Sequence, residues 1–159
     1  MDRFPEGFTL DEVGRAALLL EALAHLPPGE HLSLVADLYT RGEIREKQAV
    51  LKVLPYLPAP ESLLHIAVEA CRSHVQPVFE AIACENPYPA TWFPEPSFNQ
   101  MVLKAIFTGT AVDRIVGLDR RITPDLVRMA EGYAAERRAA GRVVPDDVPR
   151  LTSRLRRTS

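Results

Sequence analysis

The polar residues with the most suggestive spacing are Glu61, His65 and Glu69. They fall at i, i+4 and i+8, so a helix through them puts two carboxylates and an imidazole on one face. Such a set can shuttle a proton or supply half of a metal site. No second cluster of histidines or cysteines stands at metal spacing, so the three read as an exposed charge ladder and no metal ligand is assigned. His25 and His31 flank the Pro27-Pro28-Gly29 turn and read as surface residues. His74 sits between two helical patterns, where it is placed to hydrogen-bond a terminal carbonyl. Cys71 and Cys84 lie inside apolar helical patterns and are expected as reduced, buried small hydrophobes. No serine or cysteine occupies a nucleophile elbow, and no phosphate-binding loop or dinucleotide pattern occurs. No catalytic residue and no cofactor are expected, and the sequence argues against a self-sufficient enzyme.

A second polar grouping is less ordinary. Asn99 and Gln100 open one helical pattern, Lys104 is four residues beyond Gln100, and Asp119, Arg120 and Arg121 follow a short connection. Immediately before them, Pro87, Pro89, Pro94 and Pro96 alternate with Tyr88, Trp92 and Phe93. If the chain folds back here, Lys104 and Asp119 can pair, and the two amides can hold neighbouring backbone. That reading is structural. The functional alternative is a pocket for a small ligand or partner, walled by the aromatic residues. Its candidates are Trp92, Phe93, Asn99, Gln100, Lys104, Asp119 and Arg120. Seven arginines follow from Arg137 onward, against only Asp146 and Asp147. Arginines can bind phosphate or an acidic protein, but no aromatic residues interleave with these, and they read as a solvated end.

Seven segments with apolar residues at helical spacing must position these groups. Thr9 and Glu12 form a capping box for the first, which carries Leu10, Val13, Ala17, Leu20 and Ala24. The second runs from about Glu30 to Arg41, with Gly42 after it as a C′ glycine. The third runs from about Glu43 to Leu54, where Pro55 stops it. The fourth starts near Pro60, and the fifth carries Val75, Val78, Phe79, Ile82 and Ala83. Ser97 is read as the cap of the sixth, which ends at Gly109. Thr123-Pro124 opens the seventh, which ends at Gly141. The proline density of 86–96 predicts a loop without regular helix. The fold class is therefore all-α, with short connections that make antiparallel helix pairs, stacked as in a HEAT-like α-α superhelix. One helical domain is expected over 1–145, followed by a basic, flexible tail over 146–159.

The net charge of −2 and 47% apolar composition suit a globular protein and give no overall attraction to nucleic acid. Glu30, Asp37, Glu43, Glu46, Glu61 and Glu69 further disfavour a basic concave face. The N-terminus, Met-Asp-Arg-Phe-Pro-Glu-Gly-Phe, lacks the basic start and apolar stretch of a signal peptide. No apolar run approaches the ~18 residues of a transmembrane helix. A cytoplasmic protein is expected.

Phe98-Asn99-Gln100-Met101-Val102-Leu103-Lys104-Ala105, followed by Ile115-Val116-Gly117-Leu118-Asp119, resembles the signature of the EboA family. Ala134-Ala135-Glu136-Arg137-Arg138-Ala139-Ala140-Gly141-Arg142 is similar to that family's C-terminal helix, although the tryptophan usual near Arg138 is missing. The resemblance is sharp over about residues 86–145 and looser upstream. It implies a pathway: the family's genes sit in a cluster associated with moving or processing a secondary metabolite, such as the scytonemin precursor, towards the periplasm. Other members of that cluster resemble a prenyltransferase, a sugar-phosphate cyclase and TIM-barrel hydrolases or isomerases. The resemblance implies no catalytic residue. It fits a non-enzymatic scaffold or adaptor that binds a protein from the same cluster. The alternative is a small-molecule carrier or enzyme whose pocket, near Trp92, Asn99 and Lys104, takes a small aromatic metabolite.

Overall fold

Capping chemistry and proline placement set most helix boundaries. The computed structural model describes residues 7–158; the N-terminal residues 1–6, where the start of a signal peptide would lie, and Ser159 are outside the described residues. Helix α1 (Leu10–Ala24) begins on the expected capping box: the Glu12 amide donates to Thr9 Oγ1 at 3.3 Å, and the Thr9 amide donates to Glu12 Oε2 at 2.8 Å. Glu12 is buried, and the same oxygen accepts a 2.8 Å hydrogen bond from Lys52 Nζ. The cap thus also ties α1 to α3 (Ile44–Val53). Between them α2 (Pro28–Arg41) starts on a proline, whose missing N–H is one that a first turn leaves unpaired anyway. Gly42 follows α2 in an extended conformation, φ −67°, rather than as a left-handed C′ residue; an added Cβ would lie 2.5 Å from the Leu38 carbonyl oxygen.

Pro55 ends α3 in a single 3-10 turn, Leu54–Tyr56. A second 3-10 turn, Pro60–Leu63, leads into α4 (Leu64–Cys71), so the fourth helical pattern is split and Glu61 lies outside the α-helix. Next come α5 (Gln76–Ala83), α6 (Tyr88–Trp92) and α7 (Glu95–Thr108). The short helix α6 corrects the loop expected from proline density. Pro87 and Pro94 are N-caps, and Pro89 and Pro96 are second helical residues. All four fall where an absent N–H breaks no intrahelical bond. For the same reason Pro94, not Ser97, is the N-cap of α7. Gly109 ends α7 at φ +75°, as expected.

After a 3-10 turn at Val112–Arg114 come α8 (Leu118–Arg121), α9 (Pro124–Ala139) and α10 (Asp147–Thr158). Thr123 caps α9 through a 3.2 Å bond from the Leu126 amide. Where a basic tail is expected from composition, α10 lies on the core instead. Leu151 is fully buried and Val148 nearly so, and Arg154 pairs with Asp113 and Asp119.

The fold is all-α, with no strand among the described residues. Helix α3 is central: α1, α2 and α5 all pack against it. Helix α5 also touches α4, α6 and α7, while α9 joins α7 to α10 and α10 reaches α8. One continuous apolar core runs from Ala16 to Leu151. Its largest fully buried members include Phe79, Tyr88, Phe98, Leu51, Leu54 and Leu126. Burying each such large side chain favours the folded state by roughly 1.5–3 kcal/mol.

Candidate functional site

The aromatic segment is held from below by two polar residues. Asn86, buried, donates through Nδ2 to the Leu51 and Ala81 carbonyls, both at 2.9 Å. Its Oδ1 accepts the Tyr88 amide at 3.0 Å. Tyr88 is fully buried, and its hydroxyl donates to the Pro60 carbonyl at 2.6 Å. Burial pushes that phenol up to about 12. From the far side, Arg121 donates to the Ala90 and Phe93 carbonyls, each at 2.7 Å, and to Pro89 at 3.3 Å. Its guanidinium lies over the Phe98 ring, 4.6 Å from the centroid. A planar fork with several donors suits such a task, since it satisfies the orphan carbonyls at the end of a one-turn helix. Gly117 has a left-handed φ, +73°, a conformation in which a Cβ is costly. It also meets a steric demand: a Cβ there would sit 2.7 Å from Ala90 Cβ.

Lys104 has a different partner from the one its sequence position suggests. Its Nζ donates to the Cys71 and Ser73 carbonyls, both at 2.6 Å, where α4 ends. It also lies 4.7 Å from the centre of the Phe79 ring. A cation is expected at a helix C-terminus, and Lys104 fills the capping role considered for His74. Burial lowers the Lys104 pKa, and charge coupling to Cys71 opposes that shift. Asp119 is bonded to Arg154 at 3.1 Å instead, so Lys104 and Asp119 form no pair.

Helices α4 and α7 flank a groove of about 630 Å³. Phe93, Met101, Phe107 and Val68 give it apolar walls, while Arg72, His74, Gln100 and Lys104 supply polar groups. Of the seven candidates, the structure brings Phe93, Gln100 and Lys104 together here. Trp92, the last residue of α6, lies outside this lining and is 37% exposed. Asn99 is buried, and its Oδ1 has no hydrogen-bond partner among the described residues. It is therefore Asn86 and Arg121, not Asn99 and Gln100, that are seen to hold the neighbouring backbone. Arg120 is exposed beside Gly117. Arg72 and His74 were missed as groove residues, because each reads in sequence only as the end of a helix.

A second concavity, about 620 Å³, is an apolar trough between α1 and α2 with α3 as its floor. Leu18 and Leu38 stand on its walls, 73% and 41% exposed, above Ala16, Ala22, Ala49 and Val53. Its polar rim carries both signs: Arg15 and Arg41 with Asp37 and Glu46.

Neither thiol is poised for chemistry. Burial pushes Cys71 up to about 12 and Cys84 up to about 11. Glu69, from the charge ladder, is paired with Arg72 at 3.2 Å. Among the described residues no group of three or more His, Cys, Asp or Glu side chains could hold a metal ion, and no helix is long and apolar enough to cross a membrane.

No curated protein and no solved structure matches the chain. The family model described as metabolite traffic protein EboA matches residues 1–153, well beyond the 86–145 stretch where the sequence motifs lie. With a match over nearly the whole length, through the aromatic segment, the groove and most of α10, the chain belongs to the EboA family.

Proposed function

We propose that this protein is a non-catalytic adaptor in metabolite traffic, and that it docks an amphipathic helix of a partner protein into the α1–α2–α3 trough. One observation carries the reading: Leu18 of α1 and Leu38 of α2 line the same trough as exposed apolar side chains, together with small and β-branched residues. Contiguous exposed apolar surface with a polar rim is typical of interaction sites, and a trough between two helices accepts a third helix by its apolar face. Alanines at Ala16, Ala22 and Ala49 leave room for that helix to approach. The raised pKa values of both thiols and the ion-paired Glu69 favour binding over catalysis. The proposed partners are proteins encoded in the same gene cluster, the proposed location is the cytoplasm, and the antiparallel pairs stack in a HEAT-like manner to present the trough.

Pull-down followed by calorimetry against each protein of the cluster tests the reading. At least one is expected to bind, and Leu18→Glu with Leu38→Glu is expected to weaken it by tenfold or more, as for buried interface anchors. Absence of binding to all of them at tens of micromolar, or binding that the double variant leaves unchanged, refutes it.

A further inference from the structure

The α4–α7 groove is unlike the trough in its charge. Three of its lining residues carry basic side chains, Arg72, His74 and Lys104, and none is acidic. Its volume, about 630 Å³, falls within the range of small-molecule sites, about 300–1,000 Å³. The basic groups adjoin the C-terminal end of α4, a place where carbonyl dipoles would ordinarily repel an anion. Lys104 removes that obstacle, since two of its N–H groups already satisfy the Cys71 and Ser73 carbonyls. An ammonium has three donors, so one remains. Among the described residues Arg72 is paired with Glu69 alone, and the two side chains are 72% and 52% exposed. Exposed pairs of this kind contribute little, so the guanidinium can turn to a better partner at small cost. In the same lining Phe93 and Met101 are buried, and Phe107, whose ring packs on Tyr133 at 4.3 Å between centroids, keeps 53% of its surface exposed.

We propose that this groove binds a small amphipathic anion, with an aromatic or alkyl body on Phe93, Met101 and Phe107 and a carboxylate or phosphate on Lys104 and Arg72. Gln100, exposed on the same face, supplies a neutral donor beside the oxyanion. Burial lowers the Lys104 pKa from its ordinary value, and an anion beside the ammonium opposes that shift. The site is independent of the adaptor reading, because it lies on other helices than the trough.

The test is an NMR titration of the full chain with naphthylacetate, naphthyl phosphate and, as the neutral counterpart, naphthylethanol. Amide shifts are expected at residues 71–74 and 97–107 with at least one anion, and about tenfold weaker binding is expected for the alcohol. Whichever anion binds more tightly assigns the headgroup. Two surface variants keep the interpretation separate from folding. Arg72→Ala removes a charge, and Ser97→Phe fills the groove; each is expected to weaken the anion several-fold. The proposal is overturned by equal affinity for alcohol and anions, by shifts confined to α1–α3, by affinity unchanged in both variants, or by no shift with any compound at about 1 mM, the weak limit of useful binding. A failed titration here leaves the pull-down result on the trough untouched, and the reverse also holds.

Discussion

A methyl group added at Gly117 should be felt twice, and a second glycine separates the two effects. Gly117 and Gly109 have almost the same left-handed backbone, φ +73° and +75°. An L side chain in that region costs roughly 1–2 kcal/mol. At Gly109 nothing lies within 4 Å of the new Cβ, so Gly109→Ala should lose that much and no more. At Gly117 the Cβ would meet Ala90 Cβ at 2.7 Å and Arg120 Nη2 at 3.2 Å. The arginine can swing away. Ala90 cannot easily do so, because its carbonyl is fixed by Arg121 and its helix by buried Tyr88. Overpacking of this kind adds about 1–3 kcal/mol, so Gly117→Ala should lose roughly 2–5 kcal/mol in all. Urea titrations followed by far-UV circular dichroism give both numbers from midpoint and slope. Ala90→Gly in the Gly117→Ala background should recover the contact part, appearing as a coupling of about 1–3 kcal/mol in a double-mutant cycle. Equal losses at the two glycines, or no coupling to Ala90, would show that Gly117 serves the backbone alone.

Other perturbations test separate parts of the structure. Lys104→Met should lose about 1–3 kcal/mol by stranding the Cys71 and Ser73 carbonyls, measured by the same urea titration. Leu151→Ala should lose about 2–4 kcal/mol because the side chain is fully buried; a loss within a few tenths would mean that α10 is not part of the cooperative fold. Glu80 is held below its ordinary pKa, first by the hydrogen bond from Arg114 and then by that from Gln76. Its stabilisation is therefore present above the unfolded-state pKa and is lost as pH falls through the folded one. Urea midpoints should fall less on acidification in Glu80→Gln than in the native chain. Cys71 and Cys84 should resist a disulfide reagent at neutral pH until urea unfolds the chain, since both thiols are raised by burial; rapid labelling of folded protein would contradict their burial.

The helices were legible where one residue type does one local job. Thr9 with Glu12, Thr123 before Pro124, and Gly109 after α7 are signals that act within a single turn. Proline density misled over 86–96, because a count of prolines ignores their position: at N-cap and second helical residue each is harmless. The helix α10 was obscured by composition. Its arginines dominate the segment, yet Val148, Leu151 and the partly buried Leu155 pack on the core, and the acids that receive Arg154 are some 35 and 41 residues earlier, at Asp119 and Asp113. The groove was half legible. Lys104, Gln100 and Phe93 come from one stretch of chain, but Arg72 and His74 join them only because Lys104 of α7 reaches the carbonyls of Cys71 and Ser73 where α4 ends.

A chain divided into short helices leaves many carbonyls without an intrahelical acceptor role, and this governs how its polar residues should be read. Each α-helix end strands up to about four such groups. Lys104 takes two where α4 ends, Arg121 takes three where α6 ends, and Asn86 takes those of Leu51 and Ala81. Residues that look like chemistry in the sequence are thus largely consumed by the architecture. The groups that remain for a ligand are those the architecture does not use up: the third N–H of Lys104, the weakly held Arg72, and Gln100. A Lys104→Arg substitution tests this division directly. If the capping role is primary, arginine should keep most of the stability while altering affinity for a naphthyl anion. If stability collapses and affinity is unchanged, Lys104 acts by shape at the end of α4, and its charge has no ligand to meet.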